Sequence, residues 1–260
     1  KKKNYFVGGV DLGLFLENAW EKLISPDLEV CDDFRNLTSE FLQQFDTVVH
    51  LAAISNDSMG ELDEQITIKI NSKGTVEFAS ECKKAGVKRF LMSSSCSLYG
   101  KSGKSVMTEE NKMAPLTAYA RSKVYVEHNV SKLADESFCT SFLRNATAYG
   151  YSPNLRIDLV ANDFLACAIS KNEIRIMSDG TPWRPLIHCE DIANAFIYFI
   201  EADSEKINNQ IVNVGANDQN FQVRDVADIA GDIFPKTKVI YTGEAVSDSR
   251  DYKVNFDKLN

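Results

Sequence analysis

The 260 residues are 44% hydrophobic and 25% charged and carry a net charge of −8. That balance suits one large globular domain, or a domain with a smaller lobe, whose core needs neither disulfides nor metals. It argues against nucleic acid as a partner, which would call for clustered Lys and Arg. With no apolar run near the ~20 residues of a membrane helix, the expectation is a cytoplasmic protein with no membrane partner, and a homodimer stays open.

The chain opens on "KKKNYFVGGVDLGLF". Tyr5–Val7 reads as a strand and Gly8-Gly9 as the phosphate-binding turn after it, yet Val10-Asp11 follows at once like the end of a second strand. "FDTVVHLAA" (45–53) is a short buried strand, and "INSKGTVEFASECKKAG" (70–86) is a helix stopped by Gly86. "VKRFLMSSS" (87–95) is the next strand, "AYARSKVYVEHNVSKLADE" (118–136) a long helix, and "FCTSFLRNA" (138–146) a further strand. This alternation predicts a doubly wound parallel α/β sheet of Rossmann type. Beyond residue 150 the rhythm loosens: a loop at 179–185, a helix at 188–202, a strand at 210–216, then a strand-like turn and helix at 221–234. The expected division is a nucleotide-binding domain over 1–150, with returns near 186–216, and a smaller substrate lobe over 151–260 interleaved with it. The six cysteines form no C-x-x-C pair and read as buried, reduced thiols; three scattered histidines give no metal spacing.

The strongest chemical signal is Tyr119-Ala-Arg-Ser-Lys123. Residues four apart share a helix face, and an ammonium beside a phenol favours the phenolate. Such a tyrosine can take the proton of a sugar hydroxyl while the same carbon is oxidised. The same spacing also arises on an ordinary exposed helix face, so its weight comes from its companions. "SSSCSLYG" (93–100) offers hydroxyls at a strand end, "HLAA" (50–53) small residues for a flat ligand, and "CDDFRN" (31–36) an acid at a strand end.

In this order, "DDFR", "VVHLAA", "INSKGT", "SSSCSLYG", "YARSK" and "RPLIHCEDIA" resemble the extended short-chain dehydrogenase/reductase family, specifically its NAD-dependent nucleotide-sugar epimerases and dehydratases, of the UDP-glucose 4-epimerase kind. The resemblance runs from about residue 28 to the end of the sequence. It implies a Rossmann domain with a small C-terminal substrate lobe, NAD as cofactor and a nucleotide-diphosphate sugar as substrate. By that resemblance Tyr119 is the base, Lys123 binds the nicotinamide ribose and lowers the tyrosine pKa, and Ser95 is the hydroxyl partner. Asp33 and Phe34 would flank adenine, while Leu51, Ala52, Ala53 and Ser93 would line the cofactor. Asn162 would lie near the substrate diphosphate, and Arg184 and Arg250, the latter in "SDSRDYKVNFD", would clamp it.

Two departures stand out. The family opens G-x-x-G-x-x-G, then a helix, then a strand ending in an acid. Here Gly8-Gly9 abuts Val10-Asp11, and a parallel crossover needs a dozen or more residues. Either the stretch is contiguous and the cofactor's pyrophosphate lacks its helix N-terminus, or a helix belonging between Gly9 and Val10 is absent from the sequence. The second is favoured; it predicts a break at Gly9-Val10, with Tyr5–Val7 central in the sheet and Val10–Asp11 on the neighbouring strand. Gly8, Gly9 and Asp11 would then be cofactor residues, and Asp11 would favour NAD over NADP by meeting a ribose hydroxyl. The second departure is that Cys96 and Ser97 stand where the family's dehydratases place Asp-Glu, so no carboxylate there could help expel water. The expected activity is therefore an NAD-dependent epimerase working by transient hydride transfer to bound NAD. A nucleotide-sugar reductase or dehydrogenase, and a catalytically silent nucleotide-binding regulator, are the alternatives.

Overall fold

The computed structural model describes residues 4–243 and 250–259; Lys1–Lys3, and residues 247–249 of the "SDSR" motif, lie outside them. In chain order, β1 (Gly8–Asp11) pairs in parallel with β2 (Leu28–Cys31), and β3 (Thr47–His50) follows. A π-helical turn, Lys69–Gly74, runs into α1 (Thr75–Lys84), which gives way to Gly86 at φ +86°. Then come β4 (Arg89–Ser95), β5 (Lys101–Met107), α2 (Ala118–Val130), β6 (Cys139–Asn145) and β7 (Thr147–Tyr149). The second half supplies α3 (Val160–Lys171), β8 (Glu173–Ile176), β9 (Trp183–His188), α4 (Cys189–Glu201) and β10 (Gln210–Val214). It ends with β11 (Asn220–Gln222), α5 (Val223–Ile233), β12 (Lys238–Tyr241) and β13 (Asp251–Val254).

The main sheet is parallel throughout, in the order β10-β6-β4-β3. Its central strands are apolar on both sides because both faces are covered. Phe90, Met92 and Phe142 pack with Phe78 of α1 and Val126 and Val130 of α2. Leu91 and Leu143 point the other way, into Phe196 and Phe199 of α4. Helices on both faces make this the doubly wound α/β fold expected of the alternating pattern. A separate apolar cluster joins Phe164 and Ala168 of α3, Ile174 and Ile176 of β8, and Val226 and Ala230 of α5. Small sheets β11-β9-β7, β12-β8 and β13-β5 surround it or bridge it to the main sheet.

The opening stretch departs from expectation. Gly8–Asp11 is one continuous strand whose four residues pair in register with Leu28–Cys31, so the expected break at Gly9-Val10 is corrected. The sixteen residues between the two strands make the parallel connection with a 3-10 turn, Leu16–Asn18, instead of a long helix. The glycines serve packing. A Cβ on Gly8 would lie 2.6 Å from the Phe45 ring, and one on Gly9 2.9 Å from Pro26. Gly8 and Gly9 therefore form no phosphate-binding turn, and their assignment as cofactor residues falls. Asp11 does end a strand, although it belongs to the same strand as the glycines, and its Oδ1 accepts the Gly13 N–H at 2.7 Å. Neither β1 nor β2 hydrogen-bonds to β3. Phe6 stacks on Phe45, centroids 6.1 Å apart, and this sets β1 beside the start of β3. In the doubly wound order 3-2-1-4-5-6, β2 and β1 correspond to strands 3 and 2, and β3, β4 and β6 to strands 4, 5 and 6. No strand of the described residues takes the place of strand 1.

Candidate active site

The site is built at the carboxyl ends of β3, β4 and β6, the edge at which open α/β sheets bind ligands. β4 ends at Ser95, whose side chain accepts from the Ser97 N–H at 3.1 Å and so caps a short 3-10 turn, Cys96–Tyr99. That turn holds Ser95 at the strand end, where its hydroxyl donates to Ser97 Oγ at 2.9 Å. α2 crosses in front. Thr117 caps it by accepting from the Ala120 N–H, and Glu61 accepts from the Ala118 N–H at 2.8 Å, a carboxylate at the positive helix end.

One turn into α2, the Lys123 ammonium lies 5.3 Å from the centre of the Tyr119 ring and donates to the Ser93 carbonyl at 2.7 Å. Lys123 is 2% exposed. Burial lowers its pKa to about 8, against the pull of Glu127, whose charge favours the ammonium. The tyrosine–lysine pair read from spacing is thus a packed pair, joined to β4 through Ser93. His50, at the end of β3, is also buried and shares a 3.0 Å hydrogen bond with Thr75; burial, then the Lys123 charge, lowers its pKa to about 3. It is therefore held neutral.

Glu127 extends the Tyr119–Lys123 row by one more turn, and spacing alone did not single it out. Its carboxylate is 3% exposed and accepts from Arg144 Nη2 at 2.7 Å, Arg144 Nε at 3.0 Å and the Ser94 hydroxyl at 2.5 Å. Arg144, 1% exposed, also donates to the Tyr99 hydroxyl at 2.9 Å, which in turn donates to Asn213 at 2.7 Å. This network ties α2 to β4, β6 and β10 directly beneath the Tyr119–Lys123 pair. The signal that could have found it is the i, i+4, i+8 row Tyr119, Lys123, Glu127; the partner on β6 is visible only in three dimensions.

The remaining expected residues divide. Leu51 and Ala52 are exposed and Ala53 half-buried, immediately beyond β3. Asp33 is held by Arg35, through Nε at 2.9 Å and Nη2 at 2.6 Å, and that hydrogen bonding keeps its carboxyl below the usual carboxylate range. Phe34 turns toward the core, edge-on to His50 at 4.8 Å and to Phe78 at 5.4 Å. Asn162, in the first turn of α3, accepts from the Gly150 N–H at 3.4 Å and donates to the Arg156 carbonyl at 2.9 Å. Arg184, on β9, donates to the Arg250 carbonyl at 2.5 Å, so these two arginines, 66 residues apart, are brought together. Cys96 is fully buried, donates to the Arg144 carbonyl at 3.0 Å, and has its thiol pKa pushed up by burial. All six cysteines are unpaired, with Cys31 exposed and Cys82, Cys96 and Cys139 buried. Among the described residues no group of His, Cys, Asp and Glu could hold a metal, and no helix is long and apolar enough to cross a membrane.

Residues 15–215 match the model of the NAD dependent epimerase/dehydratase family. The chain belongs to that family. It is 26% identical, over 197 residues, to the trifunctional UDP-glucose 4,6-dehydratase/UDP-4-keto-6-deoxy-D-glucose 3,5-epimerase/UDP-4-keto-L-rhamnose-reductase RHM3 of Arabidopsis thaliana, covering 74% of this chain and 28% of that protein. It is 25% identical over 191 residues to the UDP-glucose 4-epimerase of Neisseria meningitidis serogroup C, 66% of this chain and 56% of the relative. The chain thus spans less than two-thirds of these curated relatives. Its fold matches that of the Bacillus cereus UDP-glucuronic acid 4-epimerase solved with UDP-glucuronic acid and NAD, with a TM-score of 0.83, 22% identity, and coverage of 99% of this chain and 85% of that one. NAD is therefore the cofactor to test against this site. Its nicotinamide end can be tried against Lys123, a buried ammonium standing with the Ser93 carbonyl at the end of β4.

Proposed function

We propose that the chain is an NAD-dependent nucleotide-sugar epimerase. The observation that carries the reading is the buried Lys123 ammonium against the Tyr119 ring at a strand end bearing Ser95. NAD, when bound, supplies reversible oxidation of a sugar carbon. Lys123 and Ser93 would hold its ribose and nicotinamide end, with Leu51, Ala52 and Ala53 along its flank and Asp11 at a ribose hydroxyl. Tyr119 takes the proton of the sugar hydroxyl and returns it; the neighbouring ammonium stabilises its phenolate. Ser95 Oγ holds the reacting oxygen, and Ser97 Oγ, 2.9 Å away, keeps that hydroxyl oriented. Arg184 and Arg250 meet the substrate diphosphate, for which a guanidinium fork is suited, and Asn162 borders it.

Epimerisation is favoured over dehydration by the two residues after Ser95. Cys96 is buried against a backbone carbonyl with its thiol pKa raised, and Ser97 is neutral, so neither offers a carboxylate to expel water. The test is direct. With a UDP-hexose, the protein is expected to interconvert epimers without net change in NAD, and Tyr119→Phe should lose turnover by ~10²–10⁴-fold while still binding NAD. Stoichiometric accumulation of NADH would point instead to a dehydrogenase. Near-normal turnover by Tyr119→Phe would remove the mechanism.

A further inference from the structure

Residues 151–158 join β7 to the start of α3, and Asn162 of α3 closes the neck of the loop they form. Its Oδ1 accepts from the Gly150 N–H at 3.4 Å and its Nδ2 donates to the Arg156 carbonyl at 2.9 Å. The body of the loop is tied to the other half of the molecule at two places. Near its start, Trp20 Nε1 donates to the Ser152 carbonyl at 2.9 Å and the Trp20 backbone N–H to the Pro153 carbonyl at 3.0 Å. Beside them the Tyr151 phenol bonds the Glu21 carboxylate. Near its end, Arg156 Nη1 donates to Ser55 Oγ at 3.2 Å, and Asn56 Nδ2 donates to Asp158 Oδ2 at 2.7 Å. Trp20 and Glu21 belong to the connection that leaves the carboxyl end of β1, and Ser55 and Asn56 to the one that leaves the carboxyl end of β3.

These ties are numerous but shallow. The flanking residues Tyr149 and Val160 pack into the apolar cluster of the second half, whereas the loop between them is fixed by polar bonds. Trp20 is 65% exposed, Tyr151 63% and Ile157 59%. A segment with little buried apolar surface and solvent-facing hydrogen bonds lies at the low end of local stability. Gly150, at φ +118°, supplies a pivot at one end and the start of α3 the other. Within the loop, Arg156 forks onto Asp158, Nε to Oδ1 at 3.0 Å and Nη2 to Oδ2 at 2.5 Å, so the Ser55 and Asn56 ties act on one braced unit. The loop thus runs from the elements beyond β1 and β3 to the helix that carries Asn162, across the edge at which open α/β sheets take their ligands. We propose that residues 151–158 are a lid, closed in this structure, that swings as one body away from Trp20 and from Ser55 and Asn56 to admit the dinucleotide. The motion belongs to the ligand-free chain; only the identity of the ligand rests on the NAD-dependent reading.

Hydrogen exchange at Trp20 reads the lid without any ligand. Trp183 is the other of the two tryptophans, so Trp183→Phe assigns the indole signal. Ser55→Ala and Asp158→Ala each remove a tie that Trp20 does not touch. Both should speed exchange of the Trp20 indole and backbone N–H about fivefold, the worth of one hydrogen bond, with the amides of β4 and β6 unchanged. Unchanged Trp20 exchange in either variant overturns the lid, because the two ties would then open independently. Rapid mixing with NAD reads the gate. The native binding rate should level off as NAD is raised, and its ceiling should rise about fivefold in Asp158→Ala. A native rate that stays proportional to NAD concentration, or an equal ceiling in the variant, overturns the gate and leaves the NAD-dependent reading intact. NAD binding by none of these proteins overturns that reading and the gate with it, while the exchange measurement still decides the lid.

Discussion

Replacing Glu127 by Ala tests the network beneath the Tyr119–Lys123 pair. The substitution removes the carboxylate that receives two nitrogens of Arg144 and the Ser94 hydroxyl. Arg144 is 1% exposed and keeps the Tyr99 hydroxyl at 2.9 Å, with only a 3.4 Å contact to the Glu109 carbonyl and a 3.3 Å contact to Met113 sulfur besides. A buried guanidinium without its counter-charge costs about 3–5 kcal/mol. In urea, with a slope of ~1–3 kcal/mol per molar, the unfolding midpoint should fall by more than about 1 M. The same account predicts that the paired replacement Glu127→Leu with Arg144→Met is far milder than Glu127→Ala, because it removes both charges together. Equilibrium unfolding followed by Trp fluorescence and circular dichroism measures all three proteins. A midpoint for Glu127→Ala within 0.3 M of the native value, taken as roughly the scatter of such curves, would show that the pair does not support the fold. A double variant no more stable than Glu127→Ala would show that packing, not charge, sets the cost.

Changing Arg184 or Arg250 to Ala should weaken nucleotide-sugar binding by about 1.5–3 kcal/mol and leave NAD binding unchanged; equal losses for both ligands, measured by calorimetry, would assign the arginines to the fold. Lys123 gives a pH signature. Its folded pKa of about 8 lies below its ordinary 10.5, so the unfolded chain binds the extra proton between those values and stability from this group rises with pH across that window. Lys123→Met should therefore be inactive yet more stable at pH 7, by at most ~3 kcal/mol, with the advantage shrinking as pH rises from 8 to 10.5. An unchanged difference in Tm from pH 7 to 10.5 would contradict the burial argument.

How far the sequence could be read depended on the range of the forces involved. β4, β6 and α2 were legible because their apolar runs and spacing are local: Phe90, Leu91 and Met92 are continuous, and Tyr119 and Lys123 are one helical turn apart. Gly8-Gly9 misled for the same reason. An apolar triplet followed by two glycines has the local look of a phosphate turn, and only Phe45 and Pro26, distant in sequence, reveal that the glycines make room for side chains. The candidate site followed the same rule. The Tyr119–Lys123 neighbourhood was foreseen, whereas the Glu127–Arg144 pair exists only because α2 lies over β4 and β6. Asn162 and Asp33 look available in one dimension, but Gly150, Arg156 and Arg35 have already engaged them.

The unladdered junction between β1 and β3 has a bearing on how the molecule comes apart. Across that junction the two sheets meet through rings, such as Phe6 on Phe45, and share no row of amide–carbonyl bonds. Side-chain contacts yield more readily than a cooperative ladder, so residues 8–31, held elsewhere by the Trp20 bonds to Ser152 and Pro153, are expected to detach as a unit while the β10-β6-β4-β3 ladder persists. In native-state hydrogen exchange, the amides linking β1 to β2 would then open together, at a lower free energy than those of β4 and β6, and at a common urea dependence reporting only the surface of that small unit. Because Asp11 ends β1, the carboxyl end of that strand would be the first part to lose its shape, ahead of Tyr119 and Lys123 on the more slowly exchanging body.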